Sequence, residues 1–425
     1  MNIIVVGSGG REHAIIKKIK ENPNVTRIFA LPGNGGMEGD AECVPIKATD
    51  IDSIKEFALT HGVDYVIVSP DNPLVLGAVD ELRDAGIPCF GPDSKAAYIE
   101  GSKVYAKRLM RKYGIPTAAF EIFDDADKAL AYLDALPSPI VVKADGLALG
   151  KGVIVAQTYE QARDAINAIM RYKIFGSSGR RIVLEEYMTG PEVSVLCFTD
   201  GETIVPMVSS MDHKRIYDDD EGPNTGGMGA VAPNPYYTPE IAQECMDRIF
   251  LPTIRALKAE GRTFKGCLYF GLMLTKDGPK VIEYNCRFGD PEAQVVLPLL
   301  QSDLLTVMQA VSNGTLAQTE VKFSSDSACC VVVASKGYPI KFEKNVPIYL
   351  PEPKPGTQIY VAGAKMDNGQ LVSDGGRVIG VTATAPTLQQ AVDKAYELTR
   401  EVGFASAYYR KDIGKRALQA YGGER

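Results

Sequence analysis

The chain has 425 residues, 45% of them hydrophobic, which is enough for two to four domains with cores of their own. Its 46 Lys and Arg against 53 Asp and Glu give a formal net charge of -7, which argues against broad nucleic-acid binding, because that depends on a positive field. Eight scattered cysteines without a CxxC pair, a short apolar N-terminal run and no run of membrane-spanning length predict a soluble cytoplasmic protein.

The first hundred residues alternate short apolar runs with helical patterns. The runs NIIVV, RIFAL, DYVIVSP and IPCF predict strands, and HAIIKKIK, DIDSIKEFALTHG and LVLGAVDELRDAG predict the helices between them. This alternation is typical of a doubly wound, mostly parallel sheet. We therefore expect a Rossmann-like N-terminal domain, followed by a helix over SKVYAKRLMRKYG.

A glycine-rich turn, GSGGREH, lies at the first junction of strand and helix. Glycines there let backbone N–H groups approach an anion at the positive end of the helix. A dinucleotide site is disfavoured, because GxGxxG would require Gly where Glu12 stands and RIFALPGN has no acidic residue for a ribose. We predict a site for a single phosphate at Gly9, Gly10 and Arg11, with a plain tight turn as the alternative.

Residues 117 to 187 alternate strands and helices around a second glycine-rich segment, VVKADGLALGKGV. This segment is not a Walker A motif, because three residues separate Gly146 from Gly150 and Gly152 follows Lys151. A loop of this kind, opened by Lys143, could close over a triphosphate; an ordinary hairpin is the alternative. The acidic stretch EEYMTGPE, residues 185–192, then reads as a hinge able to bind a nucleotide.

The second half of the chain predicts an antiparallel unit and then a small separate domain. Strands EVSVLCF, TIVPMVS, GCLYFGLMLT and KVIEYN surround the polar segment DHKRIYDDDEGPNTGGMG, and a helix begins near Pro239. From ACCVVVASKG onward, short strands and a helix from Leu388 to about Glu401 indicate a C-terminal domain.

One strand, VIEYNCRFGDPE, carries charges between its apolar residues. Positions 282, 284, 286 and 288 are apolar and alternate with Glu283, Asn285 and Arg287, which places the two sets on opposite faces. A carboxylate and an amide oxygen suit Mg²⁺, and a guanidinium beside them suits a phosphate. The alternative is an edge strand with a solvated polar face.

Taken in order, Lys103, Lys143 with its glycine loop, the acidic hinge and the Glu283–Asn285 pair resemble the ATP-grasp enzymes. Over nearly the whole chain, GSGGREHA, EGSKVYAKRLM, DHKRIYDDDEGPNTGGMG, RFGDPE and YYRKDIG resemble the phosphoribosylamine-glycine ligase (glycinamide ribonucleotide synthetase) family. The resemblance implies that ATP drives the joining of glycine to 5-phosphoribosylamine through a glycyl phosphate, in purine biosynthesis. Another ATP-grasp carboxylate-amine ligase is the main alternative, and a dinucleotide-dependent oxidoreductase rests only on the first glycine loop.

The resemblance also implies a domain plan and site residues. The expected domains are a Rossmann-like substrate domain (1–103), an ATP-grasp domain (104–325) with a lid at about 119–191, and a small α+β domain (326–425). The residues expected to bind ATP are Lys103, Lys143, Gly146, Gly150, Lys151, Gly152, Glu185, Glu186, Tyr187, Met188 and Glu192. Substrate binding is expected at Gly9, Gly10, Arg11, Asn34 and Asp71, and the chemistry at Asp212, Lys214, Arg287 and Asp290, with Asp212 or Asp290 available for the ammonium of glycine. Glu283 and Asn285 are expected to hold Mg²⁺ or Mn²⁺, with small molecules as partners and neither nucleic acid nor membrane.

Overall fold

The computed structural model describes residues 1–134, 136, 139–147, 152–405 and 407–422. In this part of the chain, no helix combines the length and apolar character needed to cross a bilayer. Each of the eight cysteines is free. Four larger sheets organise the described residues, and we call them the N-terminal, lid, core and C-terminal sheets.

The N-terminal sheet is five-stranded and parallel, with its first strand in the centre. Residues Ile3 to Val6 of that strand are completely buried, as expected where helices cover both faces. The predicted doubly wound sheet is confirmed, but the single helix expected over residues 74–86 is two helices separated at Gly77, whose φ is +92°. The strands are Asn2–Gly7, Arg27–Pro32, Glu42–Cys43, Tyr65–Val68 and Cys89–Phe90. The helices are Gly10–Ile19, Ile51–Thr60, Asp71–Val75, Ala78–Asp84 and Ser94–Gly101.

The helix Lys103–Tyr113 leads from this sheet to the lid. Ser102 caps its first turn by accepting a hydrogen bond from the Tyr105 N–H (3.1 Å), and Gly114 ends it with φ of +67°. The lid sheet is antiparallel, and its helices pack on a small core of their own. Its strands, in spatial order, are Phe120–Phe123, Ile182–Glu186, Ile140–Ala144 and Val153–Ala156, and its helices are Ala126–Leu133 and Tyr159–Ile166.

The core sheet has four antiparallel strands, as the sequence predicts. In spatial order they are Ile204–Pro206, Glu192–Thr199, Gly266–Thr275 and Gly278–Asn285. The first of them is shorter than the expected run of residues 203–209. Helices Pro239–Cys245 and Leu251–Ala259 precede the third strand, and helices Ala293–Val296 and Leu304–Asn313 follow the fourth.

The C-terminal sheet contains strands from two distant parts of the chain. Its strands are Met211–Asp212, Gly229–Ala232, Ser327–Ser335, Arg377–Ala385 and Thr357–Val361, with Ala407–Tyr408 also paired to Ser327–Ser335. The buried run Gly229–Ala232, at the end of the polar segment, pairs antiparallel with Ser327–Ser335 and not with the core strands that flank the segment in the chain. The polar segment is therefore attached to the C-terminal sheet.

Shorter elements complete the C-terminal part of the chain. Three two-stranded pairs are Arg215–Tyr217 with Glu221–Asn224, Ile348–Tyr349 with Gly403–Phe404, and Ala364–Asp367 with Gln370–Ser373. Helix Leu388–Thr399 packs on the C-terminal sheet, and helix Lys415–Gly422 follows it. One cluster of buried side chains, including Ile3, Leu196 and Val332, joins the N-terminal, core and C-terminal sheets. The candidate site lies where these sheets meet the lid.

Candidate active site

The last strand of the core sheet presents Glu283 through a bulge. Glu283 lies opposite Gly271, whereas Val281 lies opposite Leu272, so the strand carries one extra residue at Ile282. Val281 is completely buried in place of Ile282, and the expectation that Ile282 lies on the core face is wrong. The bulge instead turns the Ile282 carbonyl toward Lys143, whose Nζ donates to it at 3.1 Å.

Four cationic side chains act on the Glu283 carboxylate, and each has another partner. Burial raises the pKa of Glu283, but Lys214, Lys143, Lys103 and Arg287 outweigh it and hold the pKa below its usual value. The partners of these cations are, in the same order, Glu192 (2.7 Å), Glu185 (3.0 Å), the Gly146 carbonyl (3.0 Å) and Glu100 (3.0 Å). Glu283 is therefore ionised, and each of the four cations around it is held in place by a different group.

Glu185 lies between two buried lysines under the lid. Lys107 and Lys143 each approach its Oε2 to 3.0 Å, and Lys107 also donates to Thr117 Oγ1 at 2.7 Å. Burial raises the pKa of Glu185, and the two lysines bring it below its usual value. Its other oxygen, Oε1, is buried without a hydrogen-bond partner among the described residues. Lys107 was not among the expected ATP residues, although it lies one turn from Lys103 on the same helix.

Asp145 fixes the start of the glycine loop against the helix that carries Lys103. Its Oδ1 accepts from Ser102 Oγ (2.8 Å) and the Val104 N–H (3.1 Å), and its Oδ2 accepts two hydrogen bonds from Arg181 (3.0 and 2.6 Å). Gly146 has φ of +93°, a conformation that favours glycine. Gly152 is buried, and its carbonyl accepts from the Ala144 N–H at 2.8 Å. The expected ATP residues Gly150 and Lys151 lie outside the described residues.

The segment expected to be a hinge connects the lid sheet to the core sheet. Glu186 pairs with Lys280 (3.3 Å), Tyr187 is exposed, and Met188 is half-buried. At Gly190, φ is +148° and a Cβ would lie 2.0 Å from the Leu274 carbonyl oxygen, so only glycine fits between lid and core.

The N-terminal glycine loop meets the segment RFGDPE. Arg11 Nη1 donates to the Phe288 carbonyl at 2.9 Å, and its Nε pairs with buried Glu12 at 2.6 Å. The Gly9 N–H is bonded to Glu12 Oε2 (2.6 Å), and a Cβ at Gly9 would lie 3.2 Å from Asp290 Oδ2. The two glycine-containing segments thus form one wall of the site, although they are about 280 residues apart.

Two further residues expected to bind substrate lie near this wall. The Asn34 amide donates to the carbonyls of Ser8 and Val361, both at 2.8 Å, so it supports the loop. Asp71 begins a short helix and acts electrostatically on Glu100 and Arg287.

Arg377 of the C-terminal sheet was missed by the sequence analysis. Its Nη1 donates to the carbonyls of Gly226 and Asp290, both at 2.7 Å, and its Nη2 lies 3.3 Å from the Asp290 carboxylate. Gln294 Nε2 donates to Asp290 Oδ1 at 2.7 Å. Burial raises the pKa of Asp290, but Arg377 and Arg11 bring it below its usual value. Both Asp290 oxygens are therefore engaged.

Asp212, in contrast to Asp290, has a carboxylate oxygen that no other group engages among the described residues. Its Oδ1 is buried with no hydrogen-bond partner among the described residues. Burial, together with the charge of Glu292, raises the pKa of Asp212 well above its usual range. Glu292 was also missed, and it accepts from Tyr269 (3.0 Å) and Ser194 (3.3 Å) beneath the site. The sequence feature that could have identified Glu292 was its position in the motif RFGDPE.

Comparison with known proteins identifies the family of the chain. Phosphoribosylglycinamide synthetase family models match in chain order: the N domain over residues 1–100, the ATP-grasp (A) domain over 101–293 and the C domain over 328–416. A phosphoribosylamine-glycine ligase from Caldanaerobacter subterraneus subsp. tengcongensis is 45% identical over 413 residues, 97% of this chain and 99% of the relative. The chain belongs to the phosphoribosylamine-glycine ligase family. The predicted activity class, an ATP-grasp ligase of purine biosynthesis, is thereby confirmed, and another ATP-grasp ligase is not favoured.

Solved structures support the fold of this ligase. The crystal structure of phosphoribosylamine-glycine ligase from Thermotoga maritima is 34% identical, with a TM-score of 0.86, covering 97% of this chain and 100% of that one. The biotin carboxylase domain of Hydrogenobacter thermophilus 2-oxoglutarate carboxylase, solved with MgADP, has a TM-score of 0.73 at 16% identity, covering 96% of this chain and 91% of that one. The second similarity concerns the fold alone. The expected domain boundaries of the ligase stay predictions.

Proposed function

We propose that this ligase, in the cytoplasm, joins glycine to 5-phosphoribosylamine and converts ATP to ADP and phosphate, with glycyl phosphate as the intermediate. The observation that carries the proposal is the ionised Glu283 within four cations that have partners of their own. Such a field suits an ATP γ-phosphate and a carboxylate nucleophile, because phosphoryl transfer is largely positioning and electrostatics.

Glu283 and Asn285 fit a hard divalent cation. They lie two residues apart on one strand, and Glu283 is kept ionised by its surroundings. In the described part of the chain, no group of three or more His, Cys, Asp and Glu side chains could hold a metal. A magnesium ion commonly uses one or two protein carboxylates together with phosphate oxygens. We assign Mg²⁺ or Mn²⁺ to this pair, where it would neutralise charge on the ATP phosphates.

The lid and hinge supply the ATP site in this proposal. Lys103 and Lys143 face the phosphates. The adenine is bound by Glu185, through its unpartnered Oε1, and by the chain from Glu186 to Met188. Glu192 faces the ribose. Closure of the lid would exclude water from glycyl phosphate, which hydrolyses readily.

Asp212 is the better candidate for the ammonium of glycine. Its buried Oδ1 has no partner among the described residues, whereas both oxygens of Asp290 are engaged by Gln294 and Arg377. An arriving ammonium would supply the hydrogen bond that Asp212 lacks and would favour its ionised form. Asp290 then orders the wall that carries Arg287, and Lys214 faces the reacting carboxylate.

Gly10→Val is expected to raise the KM for phosphoribosylamine at least about tenfold and to change the KM for ATP much less. A Cβ at Gly10 would lie 2.6 Å from Gln294 Nε2, so the valine would disturb the wall proposed for the ribose phosphate. Gly39→Val is the matched control, because a Cβ at Gly39 has no atom within 4 Å. An equal rise in both KM values would contradict the assignment.

The intermediate itself is tested with glycine labelled with ¹⁸O in its carboxylate. A carboxylate oxygen attacks the γ-phosphate, and the same oxygen leaves with phosphate when the amine attacks the carbonyl. We expect one labelled oxygen in inorganic phosphate per turnover, measured by mass spectrometry in a single-turnover reaction. Reactions that omit glycine or phosphoribosylamine are the controls. Unlabelled phosphate would indicate a phosphorylated side chain instead and would rule out glycyl phosphate.

A further inference from the structure

The C-terminal motif YYRKDIG has no role in the chemistry proposed above, yet its arginine is one of the largest fully buried side chains among the described residues. The side chain of Arg410 is 1% exposed. Its Nε and Nη2 donate to the two oxygens of Asp412, both at 2.8 Å. Its Nη1 donates to Asp220 Oδ1 (2.8 Å) and to the Arg215 carbonyl (3.1 Å). Arg410 therefore links its own motif to the polar segment at residues 212–229, which we call the catalytic loop.

Further hydrogen bonds join the motif to the catalytic loop. The Lys411 N–H donates to Asp218 Oδ1, and Asp412 Oδ2 accepts from the Asp219 N–H, both at 2.8 Å. His213 is buried with Nδ1 3.2 Å from the Gly229 carbonyl, and its Nε2 accepts from the Gly414 N–H at 3.2 Å. These bonds require a neutral imidazole protonated on Nδ1.

The surroundings keep His213 in that neutral form. Burial, with help from Arg410 and Arg416, lowers the pKa of His213 to about 4. His213 therefore keeps both of these hydrogen bonds, and they fix the backbone between its neighbours in the chain, Asp212 and Lys214. The Arg215 carbonyl held by Arg410 follows directly after Lys214.

We propose that Arg410 is a positioning residue of the ligase, which holds the catalytic loop so that Asp212 and Lys214 stand at the site. The inference rests on the roles given to these two residues in the proposed function. An arginine suits the task, because its planar fork binds one carboxylate with two nitrogens and leaves a third nitrogen for the loop. A lysine offers one point charge and cannot make these contacts together.

Arg410→Lys and Asp220→Asn test the link from its two ends. Asp220 is partly exposed and pairs with Arg410 through Oδ1 and with Arg416 through Oδ2 (3.0 Å), so Asp220→Asn weakens both contacts between the catalytic loop and the C-terminal segment. It leaves no buried cavity and decides the matter if Arg410→Lys does not fold. Lys354→Ala is the matched control, because Lys354 pairs with Glu397 and Glu401 elsewhere in the C-terminal domain. The measurements are hydrogen exchange of peptides covering residues 213–224, and kcat and KM for glycine and for ATP.

We expect faster exchange in the catalytic loop and a fall in kcat/KM for glycine on the order of tenfold in both test variants, because misplacement by a fraction of an ångström is costly. The KM for ATP should change less than about twofold, and the control should match the parent enzyme. Unchanged exchange in Asp220→Asn would overturn the inference. Faster exchange with unchanged kinetics would also overturn it, and would place the fault in the roles given to Asp212 and Lys214. The ¹⁸O experiment tests the reaction independently of Arg410.

Discussion

Glu283→Gln is expected to lower kcat for ADP formation at least about 100-fold while the melting temperature falls by no more than about 5 °C. The substitution keeps the shape of the side chain but removes the charged ligand proposed for the metal. The fold should survive, because the four cations around Glu283 keep their partners, for example Lys143 with Glu185 and Arg287 with Glu100. The rate should be measured across a range of Mg²⁺ concentrations, beside a melting curve.

The pH dependence of stability gives a second readout for Glu283. Because its folded-state pKa is lowered, its ionised form contributes stability above the usual Glu pKa, and this is lost as the pH falls through the folded value. The difference in melting temperature between parent and variant should therefore shrink in acid. Glu320→Gln, at an exposed ion pair with Lys322, is the control. Full activity in Glu283→Gln would place the metal elsewhere.

Asp212→Asn is expected to reduce kcat/KM for glycine on the order of 100-fold and, at pH 8, to raise the melting temperature of the free enzyme. Asp212 is a buried carboxyl whose Oδ1 has no partner among the described residues, and Glu292 adds repulsion. An asparagine has the same shape but no titratable proton, so it removes the free-energy cost of protonating this carboxyl, or of burying it charged, at pH 8. It also loses the proposed attraction for an ammonium. Activity and stability should therefore move in opposite directions.

The sign of the pH effect at Asp212 is opposite to that at Glu283. Because the folded-state pKa of Asp212 is raised, the folded protein holds this proton more tightly, and stability falls as the pH rises from the usual Asp value toward the folded value. Melting curves from pH 5 to pH 8 should show a smaller decline for Asp212→Asn than for the parent, with exposed Asp367→Asn as control. A lower melting temperature for Asp212→Asn at pH 8 would contradict the role given to this carboxyl.

Local patterns in the sequence determined much of the fold and part of the candidate site. The buried run Ile3–Val6, its glycine turn and the alternating helices indicated the doubly wound sheet, because strand and helix periods depend on neighbouring residues. The pairing of Glu283 with Asn285 on one strand followed from the same local period. The order of the motifs then indicated the ATP-grasp ligase.

The tertiary structure decided which distant segments meet. Pairing between strands far apart in the chain attached the catalytic loop to the C-terminal sheet, and a one-residue bulge at Ile282 changed which side chain is buried. The contacts of Arg377 with Asp290, 87 residues away, and of Arg410 with Asp220, 190 residues away, became visible only in the tertiary structure, because an arginine has no periodic signal that indicates its partner. The sequence therefore determined the elements and the charged groups along them, whereas non-local packing decided which carboxylates are engaged and which, like Asp212, keep an oxygen without a hydrogen-bond partner among the described residues.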